Sequence, residues 1–292
     1  MKKLASRLRR RRYLLPALLV LPAAWLPTQL FYDGFESGTI DSNKWKPSIH
    51  PTGLGWASAM QPTFGARQGS KAMKVTMNKD PQGQPGDKQR VEHALKQNGI
   101  IHFTDFNQQY GYHFSVYVPS DWEPDIQDTI SQWFAPKDVD PITGQKLDGP
   151  RGPAMSLKLK AVDEGSNNWV HYWELVLKWD DNPATTVNPD SFTRIVLWTE
   201  NASSDLGRWV DFEVYLKWDW NPNGAGYVKM YRDGQVVVDY NGPTGFHDDK
   251  GPYYKCGLYK YTWHDPSANP NVTSRTLYFD RVILNEEPRP WP

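Results

Sequence analysis

The sequence contains one cysteine, Cys256, among 292 residues. An intramolecular disulfide and a cysteine-based metal site are therefore both ruled out. Cys256 lies in an aromatic, apolar run and reads as a small buried hydrophobe rather than a nucleophile. His-x-His and His-Glu-x-x-His are absent, which removes the usual zinc patterns. No strand-like run carries the paired carboxylates of a retaining β-glucanase. The nearest approach, Asp211-Phe212-Glu213, reads as a solvated face. Helical periodicity is almost absent, as are low-complexity linkers and internal repeats. Residues 31–292 are accordingly read as one domain.

Net charge is also missing, with 33 basic and 33 acidic residues. That balance hides an asymmetry. Lys2, Lys3, Arg7 and Arg9 to Arg12 precede a short apolar run, Tyr13–Trp25, interrupted by Pro16 and Pro22. Charge followed by a short apolar stretch is the pattern of an export signal, and the run is too short to span a bilayer well. The arginine run loosely resembles a twin-arginine signal. Residues 1–28 are read as an export signal or N-terminal anchor. No convincing small-x-small cleavage site follows, so cleaved signal and uncleaved anchor stay open. The expected location is secreted or periplasmic, without stable membrane insertion once the signal is removed. Seven of the 33 basic residues lie in this segment, leaving 26 against 33 acidic ones in the rest of the chain. A globally basic nucleic-acid binder is disfavoured. An anionic ligand would have to meet a local cluster of Arg and Lys.

What is present is β-structure. Twelve runs look extended: 72–77, 90–95, 110–118, 129–134, 154–161, 169–179, 194–199, 209–218, 226–232, 235–239, 253–261 and 275–284. Asp233-Gly234 joins two of them as a two-residue hairpin turn. In 209–218, Val210, Phe212, Val214, Leu216 and Trp218 share one face, and Asp211, Glu213, Tyr215 and Lys217 the other. Many short strands without helices imply an antiparallel sandwich, jelly roll or barrel. The longest loop, 135–153, has the length of a lid or binding loop. Aromatics reach 14 % with 14 Trp, a density that suits a large core and also the stacking of sugar rings.

Three runs bring polar groups into phase. Arg90 and Glu92 share a face, as do Gln132 and Phe134. In the third, a period of two groups Tyr253, Lys255, Gly257, Tyr259 and Tyr261, leaving Tyr254, Cys256 and Leu258 for the core. Lysine and three tyrosines around a glycine suit a groove for a polyanion, with the ligand approaching the backbone at Gly257.

These segments resemble the three signature strands of jelly-roll alginate lyases: Arg-x-Glu, Gln-x-His and Tyr-Phe-Lys-x-Gly-x-Tyr, in this order. The C-terminal half resembles the heparin lyase I and glucuronan lyase group in Gly207-Arg208-Trp209, Gly226-Tyr227-Val228 with Asp233-Gly234, Tyr254-Lys255 to Tyr259, and Leu277-Tyr278-Phe279-Asp280. Phe35-Glu36-Ser37-Gly38 with Trp45 resembles the opening of that group. The resemblance spans 31–284 and implies an all-β, concanavalin-like jelly roll. It also implies a lyase that cleaves a uronate-containing anionic polysaccharide by β-elimination.

By that resemblance Arg90 and Gln132 hold the uronate carboxylate. Tyr259 matches the catalytic tyrosine, and Lys255 completes the catalytic set. A cation at Lys255 would favour tyrosinate and bring its pKa of ~10 towards neutrality. Glu92, Tyr253, Tyr261, Trp133 and His171 are the expected sugar contacts. The family's histidine in Gln-x-His is Phe134 here. Three readings stay open: Tyr259 serves as both base and acid, His50, His93 or His171 substitutes, or the protein is a non-catalytic, lectin-like sugar binder. Catalysis would require no cofactor. The resemblance also suggests a structural calcium near Glu36 and Asp280. A monomer acting on a polysaccharide is expected.

Overall fold

The computed structural model describes residues 26–147, 152–166, 168–183 and 192–287. Most of the expected export signal, residues 1–25, lies outside them. Seventeen strands are described: β1 (Thr28–Asp33), β2 (Trp45–His50), β3 (Gly55–Met60), β4 (Ala72–Asn78), β5 (Gln89–Gln97), β6 (Ile100–Ile101), β7 (Gln109–Tyr117), β8 (Asp128–Phe134), β9 (Met155–Asp163), β10 (Trp169–Asp180), β11 (Thr193–Asn201), β12 (Trp209–Lys217), β13 (Tyr227–Arg232), β14 (Gln235–Asn241), β15 (Gly245–Phe246), β16 (Tyr253–Lys260) and β17 (Ser274–Glu287).

They form two sheets. One runs β14-β13-β12-β7-β17-β4-β3, with β1 beside β17. The other runs β11-β10-β9-β8-β16-β5-β2, with β15 added at β10. The neighbours in both paths pair antiparallel, and the short β10–β15 pair is parallel. This is the expected jelly roll. Alternation drives it, because each strand has one apolar face that must be covered. Val210, Phe212, Val214, Leu216 and Trp218 of the 209–218 run are at most 1 % exposed. On the opposite face Tyr215 is also buried, covered by His113 and Tyr231 in edge-on ring contacts. Asp233 and Gly234 both take positive φ, as a two-residue hairpin turn between right-twisted strands requires.

The sequence reading missed β1, β2, β3, β6 and β15. Strands β2 and β3 each form one edge of their sheet. Pro47 in β2 cannot donate a ladder bond, and an edge is where a sheet tolerates that loss.

The sheet containing β16 positions the site. Its inner face carries Val91, Trp133, Tyr254, Cys256 and Leu258 into the core. Its outer face carries the polar residues described next. The first correction follows from this alternation. Trp133 is fully buried, edge-on to Tyr112, and forms part of the core rather than a sugar contact.

Candidate active site

Strand β16 lies between β5 and β8, and register decides which groups meet. Tyr259 sits opposite Arg90, Gly257 opposite Glu92, and Lys255 opposite both Ala94 and Gln132. Arg90, Gln132, Lys255 and Tyr259 therefore line one cleft of ≈ 290 Å³, together with Phe134, Lys88 and Lys137. Gly152 and Pro153, at the end of the 135–153 loop, border it as well.

The floor of the cleft is a buried polar network. Glu92, Gln132 and Lys255 are at most 5 % exposed. Gln132 Nε2 donates to Glu92 Oε1, and Lys255 Nζ lies 3.5 Å from Glu92 Oε2. Lys255 Nζ also stands 4.3 Å above the Phe134 ring. Burial pulls the Lys255 ammonium below its ordinary pKa, with Glu92 opposing and Arg90 reinforcing the shift. Glu92, expected as a sugar contact, thus works beneath the cleft by orienting the Gln132 amide and neutralising Lys255.

Arg90 differs from these. Its guanidinium lies 5.4 Å from the Tyr259 ring centroid, and its buried Nε has no hydrogen-bond partner. No ion pair engages it among the described residues. An uncompensated cation at a cleft wall is costly in a folded protein and marks a place where an anion binds.

Tyr259 has its hydroxyl pKa pushed up to about 12, chiefly by burial, with Glu92 and Tyr261 adding to the rise and Arg90 opposing it. This corrects the expected direction, a shift from ~10 towards neutrality. The Lys255 charge meant to lower it is spent on Glu92. Tyr253 is likewise pushed up to about 12 by burial and packs against Phe134 and Phe103 at one end of the face. Tyr261 lies just past β16, 42 % exposed and 5.9 Å from the Tyr259 ring.

Gly257 serves a different purpose from the one expected. It has φ +138°, and a Cβ there would meet the Val91 carbonyl oxygen at 2.1 Å. The neighbouring strand's backbone, not a ligand, demands glycine. The pairing of β16 with β8 shifts register between Cys256 and Tyr259, a bulge that sets Tyr259 over the cleft.

Of the three histidines considered, His93 is a core residue beside Trp45, its pKa lowered to about 4 by burial. His171 alternates with Tyr172 and lies on the face of Trp173, near Asp128 and Arg275. That is the inward face, so His171 is not a sugar contact. His50 pairs with Arg90 across β2 and β5 and is exposed. His50, Arg90 and Tyr259 therefore form a row across three adjacent strands. Sequence alone had a signal for Lys88, two residues before Arg90, but none for Lys137 in its loop.

Glu36 and Asp280 are adjacent anchors for residues 67–71. Glu36 Oε1 accepts the Ser70 and Lys71 N–H groups, both at 2.9 Å, and Asp280 accepts those of Gln68 and Arg281 at 2.9 and 2.6 Å. Calcium calls for converging oxygen ligands, whereas these carboxylates face backbone donors, so the arrangement does not fit the ion as it stands. Among the described residues no cluster of three His, Cys, Asp or Glu side chains could hold a metal ion. No helix among them is long and apolar enough to cross a membrane.

The fold is thus an antiparallel jelly roll with a cationic, tyrosine-bearing cleft on one sheet face. The polysaccharide lyase family matches residues 35–283, and the chain belongs to that family. It is a lyase. The fold is shared with an endo-β-1,4-glucuronan lyase from the fungus Trichoderma reesei, at TM-score 0.62 and 18 % identity over 90 % of this chain and 100 % of that one. An alginate lyase from Pseudomonas aeruginosa aligns at TM-score 0.49 and 10 % identity over 85 % and 100 % of the two chains. No curated protein matches the chain in sequence.

Proposed function

We propose that this lyase cleaves a uronate-containing polysaccharide by β-elimination in the Arg90–Tyr259 cleft. The observation that carries the reading is the unpaired Arg90 guanidinium beside the half-buried Tyr259 in one cleft. Arg90, with the second amide hydrogen of Gln132, holds the uronate carboxylate and neutralises it. That neutralisation acidifies the proton at C5 and grows in value as enolate charge develops.

The C5–H electrons then form the C4–C5 double bond. The C4–O4 bond breaks with its electron pair on O4, which takes a proton from Tyr259. A pKa near 12 keeps that proton in place at neutral pH, which suits a general acid. It suits a base poorly, because tyrosinate at pH 7 would cost about 7 kcal/mol. We assign the base to His50. Its row with Arg90 and Tyr259 spans about 10 Å, two strand spacings, with room for a sugar ring above Arg90.

Export and action as a monomer on an extracellular polymer complete the proposal. The test is the ultraviolet absorbance of the unsaturated uronate product across a panel of polyuronates. Product from wild type, its loss in Tyr259→Phe and a large fall in His50→Ala are expected. Full activity in His50→Ala would return both proton transfers to Tyr259. No product from any polyuronate would refute the reading.

A further inference from the structure

Past the end of the cleft lies a second cavity, of ≈ 330 Å³, whose walls include Gln97, His102, Phe103, Asp105, Asp249 and Lys250. Its volume falls within the range of small-ligand pockets, about 300–1,000 Å³. Phe134, a wall of the cleft, lies 5.6 Å from the Tyr253 ring, and Tyr253 lies 5.3 Å from Phe103. The two cavities are therefore two ring contacts apart, with Tyr253 between them.

The second cavity is held open by backbone pairing. Thr104 donates from its N–H and Oγ1 to the Pro252 carbonyl at 3.2 and 2.6 Å, and the Gly251 N–H donates to the Thr104 carbonyl at 3.1 Å. The Asp105 N–H donates to the Tyr110 hydroxyl, and the Asp249 N–H to Asp138 Oδ1, both at 3.0 Å. Both aspartates are thus pinned by their backbones while remaining exposed. Neither carboxylate forms an ion pair among the described residues. His102 presents a buried Nε2 without a hydrogen-bond partner, and burial lowers its pKa against the pull of Asp105, so the ring is neutral. Lys250 Nζ lies 5.3 Å over the Phe103 ring, so an exposed side chain covers that face.

Charge separates the two cavities. The cleft is lined by Lys88, Arg90, Lys137 and Lys255, with Glu92 beneath them. The second cavity sets two carboxylates against one ammonium and a neutral imidazole. A uronate entering it would meet net negative charge. An uncharged pyranose would meet no such repulsion. Its hydroxyls would donate to the carboxylates in charge-assisted hydrogen bonds, with Gln97 and His102 as further partners. Its apolar face would lie against Phe103.

We infer that this cavity is a subsite for a neutral pyranose of the same polymer, so that the lyase acts on uronate chains that also carry uncharged sugars. This rests on the proposed polyuronate reading and deepens it. The neutral sugar belongs either to the main chain or to a branch, and the choice of polymer separates the two.

Binding without turnover tests it. On a Tyr259→Phe background, titration calorimetry compares neutral tetrasaccharides of glucose, galactose, mannose and N-acetylglucosamine with a tetrauronate. At least one neutral tetrasaccharide binds. Phe103→Leu weakens it about tenfold, whereas Phe103→Tyr, which keeps the ring, retains it. Asp105→Asn with Asp249→Asn also weakens it about tenfold. Phe103→Leu leaves tetrauronate binding unchanged. Turnover is then compared on three polymers: an unbranched uronate homopolymer, a polymer of uronate alternating with neutral sugar, and a uronate backbone with neutral branches. With Tyr259 intact, Phe103→Leu lowers kcat/KM on the alternating polymer if the neutral sugar is in the main chain, and on the branched one if it is a branch. Absence of neutral-sugar binding, binding indifferent to Phe103→Leu, or an equal loss on the homopolymer overturns the inference. If neutral binding follows this pattern but wild type yields no unsaturated product, the subsite stands and the elimination reading falls. Product without neutral-sugar binding keeps the elimination reading and removes the subsite.

Discussion

Lys255→Met is the most informative perturbation of the cleft floor. Methionine preserves the stem that packs near Phe134 and removes only the charge. Lys255 and Glu92 lie 3.5 Å apart, both nearly inaccessible. At an effective dielectric constant of about 20 their attraction is about 5 kcal/mol, offset by the desolvation of both ions. Removing Lys255 alone leaves a buried carboxylate with Gln132 as its remaining donor. The expected destabilisation is about 3–5 kcal/mol, the range for breaking a buried pair from one side. Removing both charges, as Lys255→Met with Glu92→Leu, should recover at least about 2 kcal/mol of that loss. Urea denaturation followed by tryptophan fluorescence measures both, provided the m-values stay equal. A cost below about 1 kcal/mol for Lys255→Met, or a double variant as unstable as the two singles added, would refute the idea that the pair is a coupled unit.

Tyr259→Phe should lower kcat by about 10²–10⁴-fold while leaving polymer binding nearly intact, as steady-state kinetics and calorimetry can check; a loss under tenfold would remove Tyr259 from proton transfer. Phe134→His restores the family's residue but should not raise turnover, since His50 already supplies the base; a gain of about tenfold or more would place the base at position 134. His93, lowered from 6.5 to about 4, stays neutral in the fold while the unfolded chain takes up a proton. Stability should therefore fall by about 3 kcal/mol as pH drops from 6.5 towards 4, and His93→Gln should flatten that slope in urea midpoints against pH. Gly257→Ala should cost about 2–4 kcal/mol, because its Cβ runs into the Val91 carbonyl; an unchanged melting temperature would show that the bulge yields easily.

Much of this protein was determined by local sequence. Alternation over 209–218 required a core face, and Asp233-Gly234 supplied the positive φ values that its hairpin needs. The phase of Arg90, Gln132, Lys255 and Tyr259 put each on the polar side of its own strand, because a period of two leaves no other choice once the apolar partners are buried. Local sequence could not say which strands are neighbours. That depends on how two whole sheets cover one another, and it placed His50 beside Arg90 from an edge strand containing Pro47. The same packing turned His171 inward, and it gave the Lys255 charge to Glu92, leaving Tyr259 protonated. It also gathered Lys158, Lys160 and Arg194 around Glu174 from the two strands that flank it. Side-chain phase is a property of one strand, whereas register and charge pairing arise only when strands distant in the chain share a sheet and exclude water together.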